Sequence, residues 1–322
     1  MNVAPKRFPL QVTESRNTSR STSHAAMSSL PTVSVVICTR FRPADLENCL
    51  SAITALEKQP DELIIIDNTA GDIRTQELAQ AFSAKYFVEP KPGLSRARNR
   101  GLVEATSDIV AYLDDDALPE KDWLGQLLEP FSDPQVAVAT GIVVTPTMHN
   151  GLGETSRSLR IDNHHPEWFE IAAFGGLGSG GNMALRKSAC TSELFDVRLG
   201  RGAPYRGMEE HFAFVQLLSR DRAAMHISSA AVHHLPRNAM LVPRDARNAF
   251  AYILLLLSEF PKNRRDLFRF LLRRFQHKPL SWKRNAPDPG VLVKSNYWVL
   301  FKAGITGTLL FLRNRKPAEH AR

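Results

Sequence analysis

The sequence predicts an α/β protein built on a doubly wound, mostly parallel sheet with a basic helical C-terminal extension. Three observations carry that prediction. Short apolar runs rich in β-branched residues alternate with amphipathic stretches from Val33 to Phe131. Polar clusters follow the ends of three of those runs. Charge is also unevenly divided, with −8 over residues 31–235 and +13 over residues 236–322. An acidic body therefore precedes a basic tail, which suits an anionic membrane surface or nucleic acid or, as the ordinary alternative, a solvated basic face.

The leader, residues 1–30, is rich in Ser and Thr and lacks the apolar core of a signal peptide, so disorder is expected there. Val33 to Ile37 reads as a buried strand, followed by Cys38-Thr39-Arg40-Phe41-Arg42-Pro43. Pro43 stands where helices begin, and Leu46, Cys49, Leu50, Ile53 and Leu56 recur at helical spacing, predicting a helix over 44–58. Leu63 to Ile66 is a second strand ending at Asp67-Asn68, then come a helix over 73–83, a short strand over 86–88 and a helix over 94–105. Arg96, Arg98 and Arg100 in that last helix cannot all share one face, so one or two of them turn toward a pocket.

Ile109 to Leu113 is a strand that ends abruptly in Asp114-Asp115-Asp116. Three adjacent carboxylates repel one another, and a divalent cation shared with a phosphorylated ligand would remove that cost. A solvated acidic turn is the plain alternative. Trp123 to Phe131 is amphipathic and Val136 to Val144 a further strand, whereas 145–174 shows no clear period. Gly175 to Gly181 is too glycine-rich for a regular element and lets the backbone approach something closely. A helix is expected around Ser188 to Leu194, another from Gly207 with Glu209 and Glu210 in its first turn, and a last strand from Ala223 to Val232 that leads into His233-His234. The tail mixes Arg and Lys with Leu, Phe and Trp, the composition of interfacial helices or of basic amphipathic helices packed on their own domain, without any apolar run of the ~18 residues that a spanning helix needs. The three cysteines, Cys38, Cys49 and Cys190, lack metal-like spacing and suit a reducing compartment.

Four segments together resemble the family 2 glycosyltransferases of GT-A fold: Val33 to Arg40, Ile65-Ile66-Asp67-Asn68, Gly93 to Gly101 and Leu113-Asp114-Asp115-Asp116. The resemblance spans residues 32–236 and implies a Rossmann-like GT-A domain over 31–236, with 237–322 as the basic helical region. By position it implies that Thr39, Arg40, Asp67, Arg98, Asn99, Asp114 and Asp115 lie at a nucleotide-sugar site. Asp114 and Asp116 match the outer positions of the family's Asp-x-Asp motif, which holds Mg²⁺ or Mn²⁺, and His234, or alternatively His233, matches a histidine that joins the metal. Gly181 and Asn182 fall in the sugar and acceptor pocket. Glu209-Glu210 resembles the family's Glu-Asp pair, whose second carboxylate is the base; Glu210 is one methylene longer than the usual Asp, so Glu209 stays a candidate.

These matches imply an inverting transfer from a nucleotide-diphosphate sugar, expected to be a UDP-sugar, to a hydroxyl of a glycan or lipid acceptor in polysaccharide or cell-envelope synthesis. Cytoplasmic placement, peripheral contact with an anionic membrane and no nucleic-acid partner are expected with it. Two other readings compete with this one. A sugar-phosphate nucleotidyltransferase usually has a glycine-rich loop after the first strand, and Cys38 to Arg42 contains no glycine. A non-catalytic sugar- or membrane-binding relative would have no need of Asp114, Asp116 and Glu210 together.

Overall fold

The computed structural model describes residues 31–144, 158–234, 246–276 and 297–314. The expected leader lies outside the described residues. The chain runs β1 (Val33–Thr39), α1 (Pro43–Thr54), β2 (Glu62–Asp67), α2 (Ile73–Ala81), β3 (Lys85–Val88), α3 (Leu94–Glu104), β4 (Ile109–Asp114), β5 (Ala117–Pro119) and α4 (Trp123–Leu128). It continues through β6 (Val136–Val144), β7 (Leu159–Ile161), α5 (Trp168–Phe174), β8 (Asn182–Arg186), α6 (Glu209–Leu218) and β9 (Ala223–His234). Three further helices close it: α7 (Ala246–Glu259), α8 (Arg264–Gln276) and α9 (Tyr297–Arg313).

One sheet runs in the order β3-β2-β1-β4-β8-β6-β9-β5, with β7 added on β9. β1 pairs in parallel with both β2 and β4, so the chain winds outward to β3 and then returns to the other side of β1. That reversal opens a crevice beyond the carboxyl ends of β1 and β4, where sheets of this kind bind ligands. Thr39, Asp67 and Asp114 all stand at its rim, as the polar clusters predict.

Both faces of the central strands are covered, which explains their unbroken apolar runs. Val36, Ile64, Ile66, Val110 and Tyr112 face one core together with α3, α5 and α6. Val35, Ile37, Ile65, Ala111 and Leu113 face the other with α1 and α4. α1 ends at Thr54 rather than at 58, and Leu56 is buried just beyond it.

Two predictions fail locally. The stretch 145–174, expected to be irregular, contains β7 and α5 among its described residues. α5 is only seven residues long, so Trp168, Phe169, Ala172 and Ala173 bury one face without repeating often enough to reveal a period. The helix expected over 188–194 is a single 3-10 turn, Lys187–Ala189. Asn99 captures the chain beyond it, accepting from the Phe195 N–H (2.9 Å) and donating to the Phe195 carbonyl (2.7 Å).

The C-terminal helices pack on the body. Ala251, Tyr252, Leu255, Leu256, Leu267, Phe270 and Phe311 share one core with α5 and α6. The Tyr252 hydroxyl donates to the Ala173 carbonyl at 3.1 Å, and Phe270 stacks on Phe174 at 4.1 Å. Among the described residues no helix is long and apolar enough to cross a membrane.

Helix α3 sits so close to the sheet that a Cβ on Gly101 would overlap the Val36 side chain, whereas one on Gly125 in α4 would meet nothing within 4 Å. Gly101→Ala should therefore lower stability by about 1–3 kcal/mol in urea unfolding despite alanine's higher helix propensity. Gly125→Ala should raise it by roughly 0.5–1 kcal/mol.

Candidate active site

The three aspartates that end β4 are separated by the geometry of the chain. Asp115 is 4% exposed; its carboxylate accepts from the Thr39 hydroxyl at 2.8 Å and from the Arg42 guanidinium. Burial raises its pKa, and Arg42 and Thr39 offset part of that rise. Asp115 thus ties β4 to the end of β1, a bracing position that its place in the motif does not reveal. Asp114 and Asp116 turn the other way, toward His234.

Register brings that histidine in. β5 pairs antiparallel with β9 so that Ala117 faces His234, directly after Asp116. Nε2 of His234 lies 3.7 Å from Asp114 Oδ2, and its Nδ1 lies 3.9 Å from Asp116 Oδ2. One ligand atom from each of Asp114, Asp116 and His234 falls within 4.8 Å of the others. The His234 Nε2 is buried and lacks a hydrogen-bond partner. Two carboxylates and one imidazole suit Mn²⁺ or Mg²⁺ with positions left for phosphate oxygens. His233 points elsewhere, with its Nε2 2.9 Å from Glu120, so His234 is the member of the pair that fits.

β8 runs antiparallel beside β4, placing Asn182 opposite Leu113 and Gly181 against Asp114. The Asp114 N–H donates to the Gly181 carbonyl at 3.2 Å, and a Cβ on Gly181 would overlap the Asp114 carboxylate. Gly180 is as crowded, because a Cβ there would come within 2.7 Å of the Arg98 guanidinium. The glycines are needed for close approach.

Of the three arginines on α3, Arg98 is the one that turns inward; Arg100 is exposed and pairs with Glu104 at 2.7 Å. Arg98 is 4% exposed, donates to Glu209 Oε1 at 3.0 Å, lies 3.8 Å from Asp114 and sits over the Phe195 ring. Burial opposes its charge, but Glu209, Glu210 and Asp114 outweigh that and hold the guanidinium protonated. The two glutamates at the start of α6 diverge. Burial and the neighbouring Glu210 raise the Glu209 pKa against the pull of Arg98, and Glu209 Oε2 has no hydrogen-bond partner. Burial also works against the Glu210 anion, yet His211, Arg98 and the backbone N–H groups of Glu210 and Gly180 hold its pKa below the usual range. The first turn of a helix favours a carboxylate in the same sense.

At the other end of the crevice Asp67 is fully buried. Its Oδ2 accepts from the Tyr86 hydroxyl and the Asp72 N–H, each at 2.7 Å, while Oδ1 has no partner. Burial, then the bond to Asp67, pushes the Tyr86 pKa up to about 12, so it remains a donor. Arg40 is exposed beside the Phe41 ring.

Three expected pocket residues are committed elsewhere. Thr39 is spent on Asp115, and Asn99 on both backbone groups of Phe195. Asn182 accepts from Trp123 Nε1 at 2.8 Å and donates to the carbonyls of Ile142 and Ala230. Its amide pins β8 to its neighbours and leaves Gly181 as the member of that pair at the site. Residues not singled out from sequence also matter: Tyr86 supports Asp67, and Phe195 underlies Arg98. Arg42 belongs to a visible polar cluster, but Phe195 lies nearly a hundred residues from its partner and leaves no local signal.

The family model for glycosyl transferase family 2 matches residues 34–192. Glycosyltransferase AglE of Haloferax volcanii is 32% identical over 36% of this chain and 40% of its own length. Succinoglycan biosynthesis protein ExoM of Rhizobium meliloti is 31% identical over 52% of this chain and 57% of its own. The chain thus spans less than two thirds of these relatives. A mannosyltransferase from Pyrobaculum calidifontis, solved with GDP-mannose and Mn²⁺, superposes with a TM-score of 0.56 at 14% identity, covering 90% of this chain and 89% of that one. That likeness establishes the GT-A fold. With the family match over residues 34–192, which include Asp67, Arg98 and Asp114, the chain belongs to glycosyl transferase family 2.

Proposed function

We propose that the protein is an inverting, metal-dependent glycosyltransferase that moves a sugar from a nucleotide-diphosphate sugar to a hydroxyl acceptor. The observation that carries the reading is the Asp114–Asp116–His234 cluster, with ligand atoms within 4.8 Å of one another, beside the Arg98–Glu209–Glu210 network. A divalent cation held there would neutralise the charge that develops on the departing diphosphate. Arg98 keeps Asp114 and Glu209 in place and adds positive charge beneath the site. Glu210 is ionised and held by the Gly180 N–H, so it is placed to take the proton of the attacking hydroxyl. Glu209 Oε1 is engaged with Arg98, which favours Glu210 over Glu209 as base. With one base and no enzyme nucleophile, a single displacement inverts the anomeric centre.

The unpartnered Asp67 Oδ1 suits an N–H of the base, such as N3–H of uracil or thymine or N1–H of guanine, and among these the donor is read as a UDP-sugar. The naming of ExoM for succinoglycan synthesis supports a polysaccharide or cell-envelope acceptor. All three cysteines are free, which supports the reducing cytoplasm as the place of reaction.

Titrating a panel of UDP-, dTDP- and GDP-sugars with and without Mn²⁺ tests the donor assignment. A UDP-sugar should raise the melting temperature only with metal present; metal-independent stabilisation contradicts the cluster's role. Asp114→Asn and Asp116→Asn should each abolish that metal-dependent shift and lower kcat by roughly 10²–10³-fold. Glu210→Gln should lower kcat by roughly 10²–10⁴-fold while leaving donor affinity nearly unchanged. Unchanged turnover in Glu210→Gln transfers the base role to Glu209.

A further inference from the structure

We infer that the outer face of α8 is a docking surface for an anionic phospholipid bilayer. The inner face of this helix is satisfied: Leu267 and Phe270 are buried, and Phe270 stacks on Phe174. The outer face is unusual for a solvated helix. Phe268 and Leu272, one turn apart, are 61% and 42% exposed. Arg265 and Arg269, also one turn apart, lie exposed on the adjoining strip. A single exposed Phe needs no explanation. An apolar stripe fringed by arginines is the pattern of a helix lying in a membrane interface, its rings in the headgroup layer and its guanidinium groups on lipid phosphates.

Charge selects the occupant. α8 carries five arginines and one acid, Asp266, which accepts from Asn263 at 3.2 Å and lies 3.8 Å from Arg269. A second copy docked on this face would set like charges against one another across a two-fold axis. Nucleic acid would match the arginines but leave Phe268 and Leu272 unmatched. An anionic bilayer accommodates both. Contact is peripheral, because among the described residues no helix can cross a membrane. α9 carries a further exposed stripe, Ile305, Leu309 and Leu312, at i, i+4 and i+7.

The surface is mechanically near the reaction site. Phe174, against which Phe270 stacks, ends α5 and is followed by the glycine loop 175–181 that packs on Arg98 and Asp114. A bilayer on α8 therefore stands one aromatic pair from that loop. The inference does not depend on the reaction assigned above.

Flotation of the full chain with vesicles tests it. The protein should float with equimolar phosphatidylcholine and phosphatidylglycerol, fail to float with phosphatidylcholine alone, and be released as salt rises. Phe268→Ser with Leu272→Ser, and separately Arg265→Gln with Arg269→Gln, should each weaken partition roughly tenfold or more without changing the thermal melt. Equal flotation with both vesicle types, or wild-type partition in both double variants, overturns the assignment. So does a concentration-dependent dimer, or duplex DNA binding, lost in those variants while lipid partition persists.

Discussion

The structure around the site depends on a buried cation. Arg98 lies almost wholly out of water, at a cost that only close anions and an aromatic face offset. Glu209, Asp114 and Phe195 supply them, from three segments far apart in sequence. The dependence is mutual. Without the guanidinium, Glu209, Glu210 and Asp114 would crowd one another in a poorly solvated space, and the Asp114–Asp116–His234 cluster would lose its support on that side. Gly180 exists as glycine because the guanidinium occupies the volume of its side chain.

The same economy of position separates the three aspartates. The chain turns from β4 into β5 so that Asp114 and Asp116 face His234 while Asp115 faces Thr39 and Arg42. The repulsion evident in the sequence is thus relieved in two ways. One carboxylate is neutralised by protein, and two form an oxygen-rich corner suited to a hard cation. Asn99 and Asn182 follow a similar logic, since each spends its amide on backbone groups that would otherwise be misplaced. They act on the site by fixing what lies beside them.

The C-terminal helices are more than an appended basic segment. α7 and α8 bury aromatic residues against α5 and α6, and α9 adds Phe311 to the same core. They brace the elements that carry Glu209, Glu210 and the glycine loop. Arg198, bonded to Asp196 and to Glu259 at the end of α7, fastens the loop after Phe195 in the same manner.

Much was legible from the sequence alone. Unbroken β-branched runs specify strands buried on both faces, so Thr39, Asp67 and Asp114 are necessarily at one edge of one sheet. The aspartate triplet announces its own electrostatic problem, and the paired glutamates announce a helix start. Tertiary structure alone decided where each carboxylate sits and what it touches. Strand register brings His234 rather than His233 beside Asp114 and Asp116, a long-range backbone contact ties the Asn99 amide to Phe195, and burial beneath Gly180 makes Arg98 the inward member of three similar arginines. The reason is physical: spacing along a chain encodes local periodicity, whereas the partner of a buried charge is set by segments about a hundred residues away.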